Sequence, residues 1–145
     1  MSNSFLRPID VRWSDLDPNY HVRHSTYYDY GAYSRICFLN ENGITTAFFT
    51  GHHFGPILFR EECIFRREIK LGDAVTIDLQ LLKSRSDHSR WTIQHKIIRN
   101  GELAATLVLD GAWIDAIKRK LTIPPELARD AFNIMPRAEN FEWIK

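Results

Sequence analysis

Cysteine is scarce in this chain of 145 residues, which has only Cys37 and Cys63. Two thiols in apolar sequence contexts cannot form the disulfide framework of a small secreted domain, and they fall short of a cysteine zinc cage. We therefore expect both cysteines to be buried, unreactive thiols, which fits a reducing, cytoplasmic location.

Neither sign of charge dominates, since 19 Lys and Arg stand against 18 Asp and Glu, a formal net charge of +1. This balance excludes a strongly basic groove for nucleic acid and an acidic disordered tail. No apolar run approaches the roughly 20 residues that cross a bilayer. The first residues meet Arg7 and Asp10 too early for a signal peptide. We expect no nucleic-acid and no membrane partner.

Common signatures of cofactor and nucleophile chemistry are also missing, namely G-x-G-x-x-G, the P-loop, H-E-x-x-H, C-x-x-C and G-x-S-x-G. Dinucleotide chemistry, nucleotide triphosphate hydrolysis and a serine-hydrolase elbow lose their main support. We expect neither a metal nor a redox cofactor.

What the chain has is the material of one globular domain over residues 1–145, with 44% hydrophobic and 26% charged residues. Hydrophobic periodicity and turn residues predict a core over residues 5–120. The predicted strands are 7–15, 56–67, 75–81, 91–97 and 103–117, and the predicted helices are 26–42 and about 125–134. Residues 44–56 are predicted to form a loop over a pocket. Thr26 and Asp29 have the spacing of a capping box.

The predicted helix over 26–42 is apolar on nearly every side. Tyr28, Ala32 and Ile36 form one stripe, and Tyr27 and Phe38 lie on the other side. A helix of this kind is buried nearly all round. One curved antiparallel sheet of about five strands must therefore wrap it, with help from a second subunit, and the fold class is α+β.

The segment from Arg12 to Tyr28 is dense in functional groups and joins the first strand to this helix. It contains two carboxylates, two imidazoles and several phenols, beside the free N–H groups of a helix N-terminus. A carboxylate can attack or act as a base, and N–H groups can hold an oxyanion, so the pairing suits acyl transfer or thioester hydrolysis. Interpretations without this catalytic role stay open. Asp17-Pro18-Asn19 can be a turn, His21 and His24 can be packed or solvated, and these residues with Asp15 can be a metal site.

Two motifs resemble the 4-hydroxybenzoyl-CoA thioesterase-like family of hotdog-fold proteins. The first is Arg12-Trp13-Ser14-Asp15-Leu16-Asp17-Pro18-Asn19-Tyr20-His21-Val22-Arg23-His24, followed by an aromatic-rich helix. The second is Phe65-Arg66-Arg67-Glu68-Ile69-Lys70-Leu71-Gly72-Asp73-Ala74-Val75. The order of predicted elements agrees with the family, so the resemblance covers most of residues 5–120 and implies the hotdog fold.

The resemblance implies that Asp17 is the catalytic carboxylate, as nucleophile or general base. It also implies that the backbone N–H of His24 polarises the thioester oxygen. Substrate contacts are expected from Tyr20, His21, Tyr27 and Tyr28. The family works as homodimers or homotetramers with sites at subunit interfaces, and basic residues hold the CoA nucleotide. The candidates here are Lys83, Arg85 and Arg90.

The chain departs from the family pattern where Tyr20 replaces a glycine and where Arg23 and His24 replace two asparagines. We predict an acyl-CoA thioesterase whose acyl group, aromatic or fatty, stays open. One alternative is a non-catalytic acyl-binding protein of the same fold. Another is a dehydratase in which His21 or His24 faces Asp17 across the substrate.

Overall fold

The computed structural model describes residues 4–145, so Met1–Asn3, which belong to the segment judged too short for a signal peptide, lie outside the described residues. No helix among the described residues is long and apolar enough to cross a membrane. The helices are α1 (Thr26–Glu41), α2 (Thr46–His52) and α3 (Glu126–Ile134). The strands are β1 (Leu6–Ile9), β2 (Phe54–Phe65), β3 (Val75–Asp78), β4 (Gln80–Ser84), β5 (Arg90–Arg99), β6 (Glu102–Asp115), β7 (Lys120–Leu121) and β8 (Arg137–Trp143).

The strands form one sheet that curls around α1. β2 pairs with β6, β6 with β5, and β5 with both β3 and β4, all antiparallel. β3 and β4 follow each other along β5, so they act as one bent strand interrupted at Leu79. β1 extends the sheet beyond β3, and β8 extends it beyond β4 in the one parallel pairing of the described chain. This is the predicted α+β hotdog arrangement.

The sheet has eight strands rather than about five. Three strands are additional, namely β4, because the predicted 75–81 run breaks at Leu79, and β7 and β8, which escaped the sequence analysis. β8 alternates weakly, with charged residues at Arg137, Glu139 and Glu142. Only its pairing with β4 and the packing of Ala138 and Phe141 identify it as a strand.

The predicted first strand, 7–15, ends early at Ile9, and a 3-10 helix covers Trp13–Asp15. The cause is the Asp15 carboxylate, which accepts a hydrogen bond from the Arg12 backbone N–H at 3.0 Å. The Asp15 N–H donates in turn to the Arg12 carbonyl at 2.9 Å. This reciprocal contact closes a turn that alternation of apolar and polar residues did not reveal.

The expected loop over 44–56 is also wrong, because seven of its residues form α2. Thr45 caps that helix by accepting a hydrogen bond from the Phe48 N–H at 3.2 Å. The capping box expected at Thr26 and Asp29 is not formed, since Thr26 lies inside α1 and its N–H donates to the Arg23 carbonyl at 2.9 Å.

The core follows α1 in two halves. Tyr27 and Tyr30 pack with the β3, β5 and β6 side chains around Ile97, while Phe38 and Leu39 pack with the aromatic cluster around Trp113. The opposite stripe of α1 is uncovered within the single chain. Tyr33 is 66% exposed and Ile36 is 40% exposed. The helix is therefore not buried all round by its own chain, and its covering by a second subunit stays a prediction.

Gly111 illustrates how closely this core is packed. A Cβ at Gly111 would lie 2.5 Å from Trp91 Cζ3 and 2.8 Å from the Ile57 carbonyl oxygen. We expect Gly111→Ala to lower the free energy of unfolding by about 1–3 kcal/mol, because neither the indole nor the backbone can move freely. Chemical denaturation measures this change. Gly55→Ala on β2 is the matched control, since its Cβ would meet nothing within 4 Å. Equal loss in both variants would contradict the close contact.

Candidate active site

The segment between β1 and α1 folds back onto the chain that precedes β3. Leu16 and Val22 form an antiparallel bridge, and the Val22 N–H donates to the Ile69 carbonyl at 2.7 Å. Arg23 braces the segment from outside, where its guanidinium donates to the Ser14 carbonyl at 3.1 Å and to the Leu16 carbonyl at 2.9 Å. Arg23, which departs from the family pattern, therefore has a structural role.

The Asp17 carboxylate is held by the loop that it begins. Its Oδ1 accepts hydrogen bonds from the backbone N–H of Asn19 at 2.9 Å and of His21 at 3.1 Å. Its Oδ2 has no hydrogen-bond partner among residues 4–145. The turn predicted for Asp17 is therefore present, but it uses only one of the two oxygens. The other oxygen is available for chemistry.

Tyr20 occupies the position where the family commonly has glycine. It adopts the left-handed backbone conformation, with φ 65°, which favours glycine and costs a larger residue about 1–2 kcal/mol. Its side chain is 66% exposed and lies 6.4 Å from the Trp13 ring. The tyrosine thus keeps the backbone that a glycine would take, and its ring lies on the surface.

His24 stands at the start of α1. Ser25 already has helical φ and ψ of −68° and −26°, and the Thr26 N–H closes the first turn onto Arg23. The His24 backbone N–H donates to no group among residues 4–145. A free N–H at a helix N-terminus lies at the positive end of the helix dipole, where it can stabilise an anion.

One cleft of about 330 Å³ brings these groups together. Asp17, His21, His24 and Tyr27 line it, so four predicted site residues meet. The opposite wall consists of the last residue of β2, Phe65, and the three residues that follow it, Arg66, Arg67 and Glu68. We call this space the Asp17 cleft.

The side chains of the Asp17 cleft are fixed by their neighbours. His21 Nε2 lies 3.0 Å from Glu68 Oε2, which ties the two walls together. Tyr27 packs edge-on against Phe65, with 4.9 Å between ring centroids. Burial, with smaller effects from Cys63 and Glu68, raises the pKa of the Tyr27 phenol, so it stays neutral and can donate a hydrogen bond.

Two predicted substrate residues lie elsewhere. Neither Tyr20 nor Tyr28 lines the Asp17 cleft. Tyr28 is half-buried on another side of α1, where burial and then the neighbouring Cys63 and Glu61 raise the pKa of its phenol. The helix geometry explains this, because adjacent residues point about 100° apart and Tyr27 already faces the cleft.

Asp15, the second carboxylate of the segment, is a structural residue. It is 2% exposed, and its oxygens accept hydrogen bonds from the Arg12 guanidinium at 2.9 Å and from the Tyr30 hydroxyl at 3.0 Å. Burial acts to raise the pKa of Asp15, but the hydrogen bonds from Arg12 and Tyr30 outweigh it and lower the pKa. Asp15 is thus a buried anion with both oxygens engaged. Among the described residues, no three His, Cys, Asp or Glu side chains are grouped to hold a metal ion.

The predicted CoA-binding residues line a different space. Lys83, Arg85 and Arg90 border a cleft of about 360 Å³ that also contains Phe59. We call it the basic cleft; it shares no lining residue with the Asp17 cleft. The basic cleft borders the middle of β2 at Phe59 and the Asp17 cleft borders its last residue, Phe65, so about 20 Å of strand separates them within one chain.

Sequence analysis used Arg66 and Arg67 only as part of a fold motif and missed them as site residues. Both line the Asp17 cleft. Arg67 pairs with Glu102 at 3.1 Å, whereas the Arg66 guanidinium has no partner among residues 4–145. A free cation beside a candidate acyl-transfer site could have been found from its position directly after the strand that faces the motif.

Arg35 of α1 and His95 of β5 form a buried polar pair that sequence analysis also missed. Arg35 Nη1 lies 3.0 Å from His95 Nε2, and His95 Nδ1 lies 2.7 Å from the Asp78 carbonyl oxygen. The carbonyl fixes the proton on Nδ1, so Nε2 accepts from the guanidinium and the imidazole is neutral. Burial first, and Arg35 second, lower the pKa of His95 to about 3. Burial lowers the pKa of Arg35 to about 10, which leaves it charged at neutral pH.

This buried imidazole makes stability depend on pH. The pKa of His95 is about 3 in the folded chain and about 6.5 when unfolded, so its contribution is complete above pH 6.5 and is lost as the pH falls. We expect His95 alone to lower the free energy of unfolding by about 2 kcal/mol between pH 7 and pH 5. Urea titrations at both pH values measure this loss. His95→Gln should remove that part of the pH dependence, and an unchanged dependence would contradict the assignment.

Residues 11–131 match the family model of the thioesterase-like superfamily. The chain therefore belongs to that superfamily, and every residue that lines the Asp17 cleft lies within the matched region. The narrower resemblance to the 4-hydroxybenzoyl-CoA branch stays a prediction. No curated protein matches the chain significantly.

Solved structures show the same fold. The hypothetical protein SAV2348 from Staphylococcus aureus, solved in complex with CoA, superimposes with a TM-score of 0.84 at 18% identity, covering 100% of this chain and 90% of that one. A thioesterase from Thermus thermophilus, complexed with coenzyme A and Zn, superimposes with a TM-score of 0.72 at 27% identity, covering 87% of this chain and 89% of that one. A DHNA-CoA thioesterase from Staphylococcus aureus superimposes with a TM-score of 0.80 at 16% identity, covering 90% of this chain and 89% of that one.

Proposed function

We propose that the chain is an acyl-CoA thioesterase that hydrolyses an acyl-CoA to a carboxylic acid and free CoA. The observation that carries the proposal is the half-engaged Asp17 carboxylate in the same cleft as the free His24 N–H. Membership of the thioesterase-like superfamily supports it, as do two similar structures that hold CoA.

In the proposed reaction the thioester carbonyl oxygen accepts a hydrogen bond from the His24 N–H, which stabilises the negative charge that develops there. Asp17 Oδ2 then acts by one of two routes. It attacks the carbonyl carbon and expels the CoA thiolate, and water hydrolyses the resulting anhydride; or it takes a proton from a water that attacks directly. In both routes the C–S bond breaks and the thiolate gains a proton.

The basic residues enter the proposal through a second copy of the chain. β2 pairs only with β6 among the described residues, so its other edge is free over twelve residues. A long free edge with exposed apolar side chains is a template for strand pairing. Antiparallel pairing of two β2 edges, in a register that sets the middle of one strand against the end of the other, would place the basic cleft of one copy beside the Asp17 cleft of the other. Lys83, Arg85 and Arg90 would then join Arg66 in holding the CoA phosphates.

A homodimer or larger assembly is therefore expected in solution. Light scattering at micromolar concentration should give at least two chains per particle. Tyr33→Glu places a charge on the exposed stripe of α1 and should weaken the assembly, because burying an unpaired carboxylate is costly. Ile117→Glu, at a similarly exposed apolar position in the turn after β6 and away from α1, is the control. A wild-type chain that stays monomeric would contradict this arrangement.

A hydrolysis screen tests the activity itself. Short, long and aromatic acyl-CoAs are incubated with the full chain, and released CoA is measured with a thiol reagent. At least one class should be hydrolysed with saturable kinetics. Binding of acyl-CoA without hydrolysis of any class would favour the acyl-binding alternative, and hydration or dehydration of a 3-hydroxyacyl-CoA would favour the dehydratase.

A further inference from the structure

A third space, separate from the Asp17 cleft and the basic cleft, lies beneath the C-terminal half of α1, and we call it the α1 cavity. It has a volume of about 200 Å³ and lies between α1, α3 and the strands β2, β5 and β6. It shares no lining residue with the Asp17 cleft. Ala32, Ile36 and Leu58 line it and are exposed, so it opens to solvent beside the uncovered stripe of α1.

The side chains that line the α1 cavity are apolar apart from Arg35 and the indole N–H groups that two of them carry. Arg35 is the one charged residue that lines it, and no carboxylate does so among the described residues. Trp91 and Trp113 also line it, with 4% and 0% of their surface exposed. Their indole Nε1 atoms are buried and have no hydrogen-bond partner among residues 4–145. Buried donors without an acceptor are rare, because the loss of their hydrogen bonds to water is not offset by a bond within the protein.

The charge of Arg35 is also incompletely matched. Its side chain is 14% exposed, and its Nη1 donates to the neutral His95. The nearest carboxylate oxygen, Glu61 Oε2, lies 3.7 Å from Nη2, beyond a hydrogen bond. The cavity thus combines a buried guanidinium with four aromatic side chains, those of Phe38, Trp91, Trp113 and Phe132. The two tryptophans among them have indole donors without a partner among residues 4–145.

We propose that the α1 cavity binds a small carboxylic acid with an apolar body, whose carboxylate pairs with Arg35. Carboxylate oxygens accept hydrogen bonds and would give the Arg35 guanidinium the hydrogen-bonded negative partner that it lacks. A planar guanidinium also matches the two oxygens of a carboxylate. A cavity of roughly 150 Å³ already takes up benzene, so this one holds a phenyl ring or short alkyl chain together with the acid group. The inference does not rest on thioester hydrolysis, because the ligand is a free acid.

Calorimetric titration without CoA tests the proposal. The probes are 3-phenylpropanoate and octanoate, each compared with its own primary amide, which keeps the shape and loses the charge. We expect at least one acid to bind at least about tenfold more tightly than its amide, because hydrogen bonds between charged groups are the stronger ones. Equal affinity for acid and amide, or no binding of either acid at millimolar concentration, would overturn the proposal.

Two variants locate the site. Arg35→Gln should lower the affinity for the acid by at least about tenfold and abolish the preference over the amide. Arg60→Gln, on an exposed position of β2 outside the cavity, is its control. Ile36→Trp should block acid and amide alike, while Tyr33→Trp, which does not line the cavity, should block neither.

These measurements remain decisive if Arg35→Gln fails to fold, because Ile36 is partly exposed and its variant keeps Arg35. Acid binding that survives Ile36→Trp would place the ligand outside the α1 cavity and overturn the assignment. The hydrolysis screen and this titration can fail separately, since one measures CoA release and the other binds a free acid.

Discussion

Asp17→Asn should fold normally and lose at least about two orders of magnitude in turnover of the best acyl-CoA, the typical scale for losing a positioned base. The side-chain oxygen of Asn can accept the same hydrogen bonds from Asn19 and His21 that Asp17 Oδ1 accepts now. The loop is therefore preserved. What disappears is the negative charge and basicity of Oδ2, which both catalytic routes need.

Thermal unfolding and acyl-CoA kinetics on the same sample separate the two roles of Asp17. The melting temperature of Asp17→Asn should stay near that of the wild type, and acyl-CoA should still bind. Asp17→Ala removes the turn bonds as well, so it should lose both activity and stability. Full activity in a folded Asp17→Asn variant would exclude the proposed mechanism and reduce Asp17 to a turn residue.

Local patterns predicted most of the fold. The predicted helix over 26–42 becomes α1 at Thr26–Glu41. The predicted strands 91–97 and 103–117 become β5 and β6, and Asn100 and Gly101 in the turn between them both have positive φ. These features succeed because hydrophobic periodicity and turn chemistry are local properties. The strand β8 and the helix α2 depend instead on tertiary partners: β8 on pairing with β4, and α2 on the packing of Phe48 and Phe49 against the core.

The candidate site shows the same division. Asp17, His21, His24 and Tyr27 share a stretch of eleven residues, and the loop and first helical turn bring them into one cleft. The opposite wall begins 38 residues after Tyr27, so the pairing of the strands, and not a local pattern, brings Arg66 to the site. The separation of the basic cleft from the Asp17 cleft likewise follows from strand register, which composition does not reveal.

The buried polar pair was the least predictable feature. His95 lies between Ile93 and Ile97 on the buried face of β5, where sequence alone indicates only a core position. Its meaning comes from Arg35, sixty residues earlier, which reaches it across the space beside Gly31. A Cβ at Gly31 would lie 3.2 Å from Arg35 Nη1 and 3.2 Å from His95 Cδ2. The absence of a side chain at Gly31 therefore permits the contact.

A substitution at His24 addresses the other half of the proposed mechanism, because the backbone and not the side chain is the proposed donor. His24→Ala keeps the N–H and should retain much of the activity. His24→Pro removes it and should lower turnover by about 10²–10³, the usual scale for one oxyanion donor. The chain should tolerate this proline, since the His24 N–H has no partner to lose among residues 4–145 and His24 is the second residue of the turn closed from Thr26 to Arg23, a position that favours proline.

Circular dichroism and thermal unfolding first establish that His24→Pro is folded, and acyl-CoA kinetics then follow. The loss should fall mainly on kcat, because the hydrogen bond is strongest when the oxygen is negatively charged in the transition state. Ser25→Pro is a useful comparison, since it alters the neighbouring N–H of the same turn and lies outside the Asp17 cleft lining. Equal turnover in folded His24→Pro and wild type would exclude the His24 N–H as the oxyanion donor. The other free N–H groups of the helix start would then be the candidates.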